Sequence, residues 1–227
     1  MELSIDTSTR YAGVGLSREG KAQAEYSWFS QQNHSVELLP AVEHLLKTTG
    51  TALQDLVCVF VATGPGGFSA LRVGLSTAKG LGMSLEIPLV ALPTLDIEAY
   101  PFQGLGMPIC PLLDIGRGEV AVALYAGEEG RWSRLWEEQI VTPEELCSRI
   151  KDTTLFCGEG ASSWASVLKE GLGEKAVVAE QSPPTRRPGS MAQMGYQRFQ
   201  RGERDDISSL EPLYLRRPSI TPPRRPT

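Results

Sequence analysis

Apolar positions change period along this chain, from alternating or short continuous runs to helical spacing and back. Residues 3–5, 12–16 and 22–27 read as three antiparallel strands, with Arg18, Glu19 and Gly20 supplying the second turn. Leu38, Leu39, Val42, Leu45 and Leu46 then recur at helical spacing, which predicts a helix over 35–48 that Gly50 stops. Pro40 cannot donate a backbone hydrogen bond, so it belongs to the first turn or bends the helix. Residues 57–62 form an unbroken apolar run of strand length, the mark of a strand covered on both faces. A Gly-Pro-Gly-Gly loop at 64–67 leads into a predicted helix over 70–85 and a short strand at 88–91.

From Pro108 the opening pattern returns. Pro111-Leu112-Leu113-Asp114 parallels Leu3-Ser4-Ile5-Asp6 as a strand ending in Asp, and strands at 120–125 and 133–141 follow across a glycine-containing turn. Thr142-Pro143-Glu144-Glu145 is a capping box that opens a helix to about Ile150. A buried strand at 153–157 and helices at 162–172 and 190–201 complete the pattern. The chain therefore reads as two similar α/β units, 1–103 and 104–216, joined near 100–107. A chance match of two hairpins is the alternative. Pro and Arg cluster at 182–188, read as a linker, and at 216–226, read as a flexible tail over 217–227.

Charge and cysteine content narrow the function classes. The net charge is −5, yet the segment 185–227 holds nine Arg against four acidic residues, so the body of the chain is strongly acidic. Such a body is a poor independent binder of nucleic acid, because it cannot displace counterions from a phosphate backbone. Cys58, Cys110, Cys147 and Cys157 lack C-x-x-C spacing and read as reduced core residues. No run approaches the ~20 apolar residues of a membrane span, and no basic leader precedes the first strand, so a cytoplasmic location is expected.

Four features carry candidate chemistry. Asp6, Thr7 and Thr9 form a strand-end loop suited to a phosphate or a hydrated cation; in actin-like ATPases that loop resembles Asp-x-Gly-x-Thr, and Ser8 stands here in the glycine place. A retained turn without hydrolysis is the expectation, with an active kinase-like ATPase as the alternative. The loop 63–69 could hold an anion at a helix start, or be a plain turn with Ser69 as the cap and Phe68 packed beneath. His34 and His44 cannot build a two-histidine helical metal site, and no G-x-S-x-G elbow supports a peptidase. Finally, Ala70, Gly74, Ala78 and Gly82 line one side of the helix 70–85. Interior glycines cost about 0.5–1 kcal/mol each relative to Ala, which makes sense where another backbone comes close. That neighbour is either this chain's own sheet or a partner.

The segments Ile5-Asp6-Thr7-Ser8, Asn33-His34-Ser35, Leu38-Leu39-Pro40, the run 64–74, Arg117-Gly118-Glu119-Val120 and Pro212-Leu213-Tyr214-Leu215-Arg216 together resemble the TsaB family. Gly67, Phe68, Ser69 and Ala70 stand where the family usually has Ser-Phe-Thr-Gly, and Ile115-Gly116 where Ala-Arg is common. The resemblance implies an α/β fold of two RNase H-like lobes of the actin-like ATPase superfamily (ASKHA), the second lobe degenerate. It further implies a non-catalytic subunit that pairs with a TsaD-like enzyme in threonylcarbamoyl transfer to N6 of the adenosine 3′ of the tRNA anticodon. A TsaE-like ATPase would join, ATP and metal would sit on the partner subunits, and tRNA would be met only through the complex. The expected partner face comprises Leu38, Val42, Leu45, Ala70, Leu71, Gly74, Thr77, Ala78 and Leu81, through which the lone chain would form a homodimer.

Overall fold

A computed structural model of the chain describes residues 1–128, 131–179 and 186–216. The expected linker is described only from residue 186, and the expected tail at 217–227 lies outside the described residues. The N-terminal unit holds β1 (Glu2–Asp6), β2 (Tyr11–Arg18), β3 (Lys21–Phe29), α1 (His34–Thr49), β4 (Cys58–Gly64), α2 (Phe68–Leu85), β5 (Leu89–Pro93) and α3 (Thr94–Ala99). Its sheet runs in the order β3-β2-β1-β4-β5, antiparallel across the first three strands and parallel from β1 to β5.

The C-terminal unit holds β6 (Ile109–Asp114), β7 (Val120–Glu128), β8 (Arg131–Val141), α4 (Pro143–Arg149), β9 (Thr154–Cys157), α5 (Glu159–Ser163), α6 (Ala165–Leu172) and β10 (Ala176–Val178). Read from its antiparallel edge the second sheet runs β8-β7-β6-β9-β10, antiparallel across the first three strands and parallel from β6 to β10, the same arrangement as the first. Asp6 and Asp114 end corresponding central strands, so the repeat is structural as well as a sequence pattern.

Local chemistry explains most elements. Gly50 closes α1 in the left-handed region at φ 65°, and the Thr142 hydroxyl accepts from the Glu145 amide at 3.2 Å at the start of α4. All seven residues of β4 are buried, as an unbroken apolar run requires of a strand covered on both faces. One face of the first sheet packs Leu3, Ile5, Val14 and Val59 against Leu38, Leu45 and Leu75 of α1 and α2. The other face packs Phe60, Ala62, Val90 and Leu92 against Ile97 of α3 and against Met191 and Met194.

Those methionines belong to α7 (Pro188–Gln200). Although it follows the second sheet in sequence, α7 crosses back onto the first. Gly15 admits the Pro188 ring, since a Cβ there would lie 2.5 Å from the Pro188 Cβ. The strand edge continues the return: the Asp205 amide donates to the Leu89 carbonyl at 3.0 Å and the Leu213 amide to the Thr63 carbonyl at 2.7 Å. Helix α7 and the segment after it thus pack on the first sheet.

Two further differences have local causes. The helix expected at 162–172 is broken at Trp164 into α5 and α6. The short helix α3 was not expected; Thr94, Leu95, Ile97, Glu98 and Ala99 are all buried, so it lies between the lobes and shows no polar face to read.

Gly195 packs its backbone on Phe60, where a Cβ would sit 2.5 Å from the ring. Helix propensity alone favours Gly195→Ala by ~0.5–1 kcal/mol, whereas overpacking predicts a loss of about 1–3 kcal/mol. Thermal unfolding of Gly195→Ala is expected to show the loss, and a raised Tm would contradict this packing.

Candidate functional site between the lobes

Asp6 ends the central strand β1 with its side chain buried, and both of its oxygens are committed. Oδ1 accepts from the Ser8 amide at 2.8 Å and the Ser8 hydroxyl at 2.5 Å, which closes a tight Asx-type turn. Oδ2 accepts from Nε of Arg186 at 2.7 Å. The same guanidinium donates to Glu98 Oε1 at 2.8 Å, Glu159 Oε1 at 2.6 Å, the Thr9 hydroxyl at 2.6 Å and the Tyr11 carbonyl at 3.2 Å. The Arg186, Asp6 and Glu98 side chains are only 1–2% exposed, while Glu159 is 19% exposed.

One cation thus faces three carboxyl groups. Burial pushes the Glu98 carboxyl up to about 7; Arg186 opposes the shift, and the Glu159 and Asp6 charges add to it. Burial works against the Arg186 charge too, but the three carboxylates outweigh it and hold its pKa above the ordinary value. Sequence reasoning placed Arg186 in a linker, because no local pattern ties residue 186 to residues 6, 98 and 159.

Beside this network a cleft of about 1140 Å³ opens between the lobes, lined by the Ser8–Tyr11 turn, His34, the start of α2, Asp114, Ile115 and Glu159. Its walls are already hydrogen-bonded to each other. The Gly67 amide donates to the Ser8 carbonyl at 2.8 Å, and a Cβ on Gly66 would collide with that same carbonyl. The glycines therefore let two loops touch, and α2 begins at Phe68 with Gly67 as its cap, not at the expected Ser69. Phe68 lies against Tyr214 with centroids 4.8 Å apart, and the Arg72 guanidinium sits 3.9 Å over its ring.

Thr7 donates to the Ala70 carbonyl at 2.6 Å, Thr9 to Glu159 at 2.5 Å, and Nε2 of His34 is bonded to the Thr9 carbonyl at 2.8 Å. Asp114 accepts from the Gly116 amide at 2.7 Å in the second loop. These residues do not fit a nucleotide-bound cation: Asp6 is filled by a guanidinium, and Thr7 and Thr9 are spent on neighbours.

Of the expected partner face, Leu38, Val42, Leu45, Leu71, Gly74 and Ala78 are buried within the chain, packed toward its own first sheet and loop. A Cβ on Gly74 would collide with the Thr7 hydroxyl. Ala70, Thr77 and Leu81 are half-buried. The outward faces of α1 and α2 instead carry Val36, Leu39, Pro40, Ser76, Gly80 and Met83.

Glu98 binds its proton at about 4.5 when unfolded and at about 7 when folded. Between those values the native state holds a proton that the unfolded state has lost, so this group's contribution to stability falls as pH rises through the window. Glu98→Gln, which keeps the shape of the protonated acid, is expected to flatten that part of the profile. Urea midpoints measured from pH 4.5 to 8 for both proteins test this, and parallel curves would contradict it.

Comparison with known proteins agrees with this architecture. A family model described as "TsaD: tRNA N6-adenosine threonylcarbamoyltransferase" matches residues 29–180. The "tRNA threonylcarbamoyladenosine biosynthesis protein TsaB" of Bacillus subtilis is 34% identical over 220 residues, covering 94% of this chain and 93% of that protein. The protein of the same name in Escherichia coli is 29% identical, covering 94% of each chain. By contrast, a tRNA N6-adenosine threonylcarbamoyltransferase of Nitrosospira multiformis is 28% identical over only 45% of this chain and 38% of its own length. Among solved structures, YeaZ from Pseudomonas aeruginosa superposes with a TM-score of 0.77 at 25% identity, over 94% of this chain and 99% of that one. Component A of the (R)-2-hydroxyglutaryl-CoA dehydratase of Acidaminococcus fermentans shares the two-lobed fold alone, with a TM-score of 0.51 at 12% identity. With near-complete coverage by TsaB proteins and the matching pair of lobes, the chain belongs to the TsaB family.

Proposed function

We propose that this chain is a non-catalytic subunit of tRNA threonylcarbamoyladenosine biosynthesis, acting by pairing with a TsaD-like enzyme. The observation that carries this reading is the filling of Asp6 by Arg186 in a chain whose full-length relatives are named for that pathway. The pairing itself rests on the TsaD description of the matching family model and on the exposed apolar face of α1 and α2. Val36 and Met83 are each 69% exposed and Leu39 is 57% exposed, apolar side chains on the outer faces of the two helices that water disfavours and a partner would cover. Gly80, with no neighbour within 4 Å of a Cβ, leaves room for close approach to α2.

The acidic body leaves tRNA binding to the partner, and a TsaE-like ATPase would supply nucleotide chemistry to the assembly. Without the enzyme, a second copy of the chain would cover these side chains as a homodimer. The ATPase alternative is disfavoured by the occupied first loop. The peptidase alternative is disfavoured because Nε2 of His34 is already engaged by Thr9.

Leu39→Asp and Met83→Asp are each expected to weaken binding of a TsaD-like subunit about thirtyfold, the effect of losing about 2 kcal/mol at a buried contact. The Tm of the monomeric chain, measured below the concentration at which it pairs with itself, should stay unchanged, because both side chains are exposed in the monomer. Gly74→Leu should do the reverse, lowering the Tm of the isolated chain. Calorimetric titration together with thermal unfolding checks all three, and full binding by both Asp variants would refute this face.

A further inference from the structure

The most deeply buried ion network among the described residues sits where three parts of the polypeptide meet. Asp6 belongs to the first sheet, Glu159 opens α5 of the second lobe, and Glu98 lies on α3 between them; Arg186 touches all three, two residues before the chain crosses back as α7. Thr9 adds a direct bond from the first lobe to Glu159. A guanidinium buried merely to fill space would be a poor choice, since desolvating it costs more than it returns unless every donor is matched. Here each of its three nitrogens finds a carboxylate.

The carboxylates nevertheless outnumber the cation. Oε2 of Glu98 is fully buried with no hydrogen-bond partner among the described residues. Surplus carboxylate oxygen converging from separate elements is the chemistry of a cation site, and here the occupant is tethered to the chain.

We propose that Arg186 is an internal cation that latches the two lobes at one closure, taking at Asp6 the place of an exchangeable ligand, so that the interlobe angle is independent of nucleotide. Asp6, Glu98 and Glu159 form the receptor, and its specificity is for a guanidinium or, once the arginine side chain is removed, for a small cation. The proposal does not depend on which partner the chain binds, so the isolated full chain suffices for its test.

The experiment compares the natural chain with Arg186→Ala, both carrying spin labels introduced by Lys47→Cys on α1 and Ser166→Cys on α6, two exposed positions on different lobes, with half-buried Cys147 changed to Ser. Double electron–electron resonance is expected to give one narrow interlobe distance for the natural chain and a broadened distribution for Arg186→Ala. The Tm of that variant should fall by on the order of 10 °C, as loss of one partner from a buried ion network implies. Millimolar methylguanidinium or magnesium should restore the narrow distance in the variant and leave the natural chain unaffected, while sodium chloride at equal ionic strength should not restore it. Arg186→Lys, which keeps the charge but not the fork, should lie between.

If Arg186→Ala does not fold, Glu159→Gln provides the second reading. Its side chain is partly exposed and anchors only the C-terminal lobe, so the variant should fold and show the same broadening. A narrow distribution in folded Arg186→Ala or in Glu159→Gln would overturn the latch. Broadening that neither cation reverses would overturn the cation site.

Discussion

Burying one guanidinium among three carboxyl groups constrains this molecule more than any other contact. An unmatched charge in that position would be ruinous, so the backbone segments carrying Asp6, Glu98, Glu159 and Arg186 must all arrive together. The first strand, the helix between the lobes, the second lobe and the return of α7 are tied to one point by this demand. Glu98, held partly protonated near neutral pH, relieves some of the excess negative charge. The network therefore works as a fixed corner around which two otherwise separate sheets are set.

The same corner bears on function. In a two-lobed fold the cleft between lobes is the natural place for a ligand, and here the carboxylate of Asp6 beside it is taken by the chain's own Arg186. The loops above it touch one another through Gly66, Gly67 and Ser8 rather than waiting for an anion. Apolar side chains stand in water on the outer faces of α1 and α2, at Val36, Leu39 and Met83. A protein arranged this way is suited to presenting an outer surface, the basis of the pairing proposed above.

Much of the fold was legible in the residue pattern because the determining forces were local. The apolar run that becomes β4 from Cys58, the leucine spacing at 38–46, Gly50 and the Thr142 N-cap each act within a few residues, and each appears in the structure. The repeated strand ending in Asp revealed the duplication for the same reason. Helix α3 escaped because burial on every side erases amphipathic periodicity. The small-residue side of α2 was legible as a place of close approach, but which group approaches is a long-range question. The answer, Thr7 of the first loop, lies outside the helix altogether.

By itself, then, the sequence determined the order and type of nearly all strands and helices, the two-unit plan and the family, since propensity, capping and hydrophobic period operate between near neighbours. Tertiary structure alone decided that α7 returns to the first lobe, that the inner faces of α1 and α2 are spent on their own core, and that Arg186 fills the site at Asp6. Those outcomes join residues separated by as many as 180 positions. Charge matching in a water-free interior selects such partners, and no pattern along the chain records that selection.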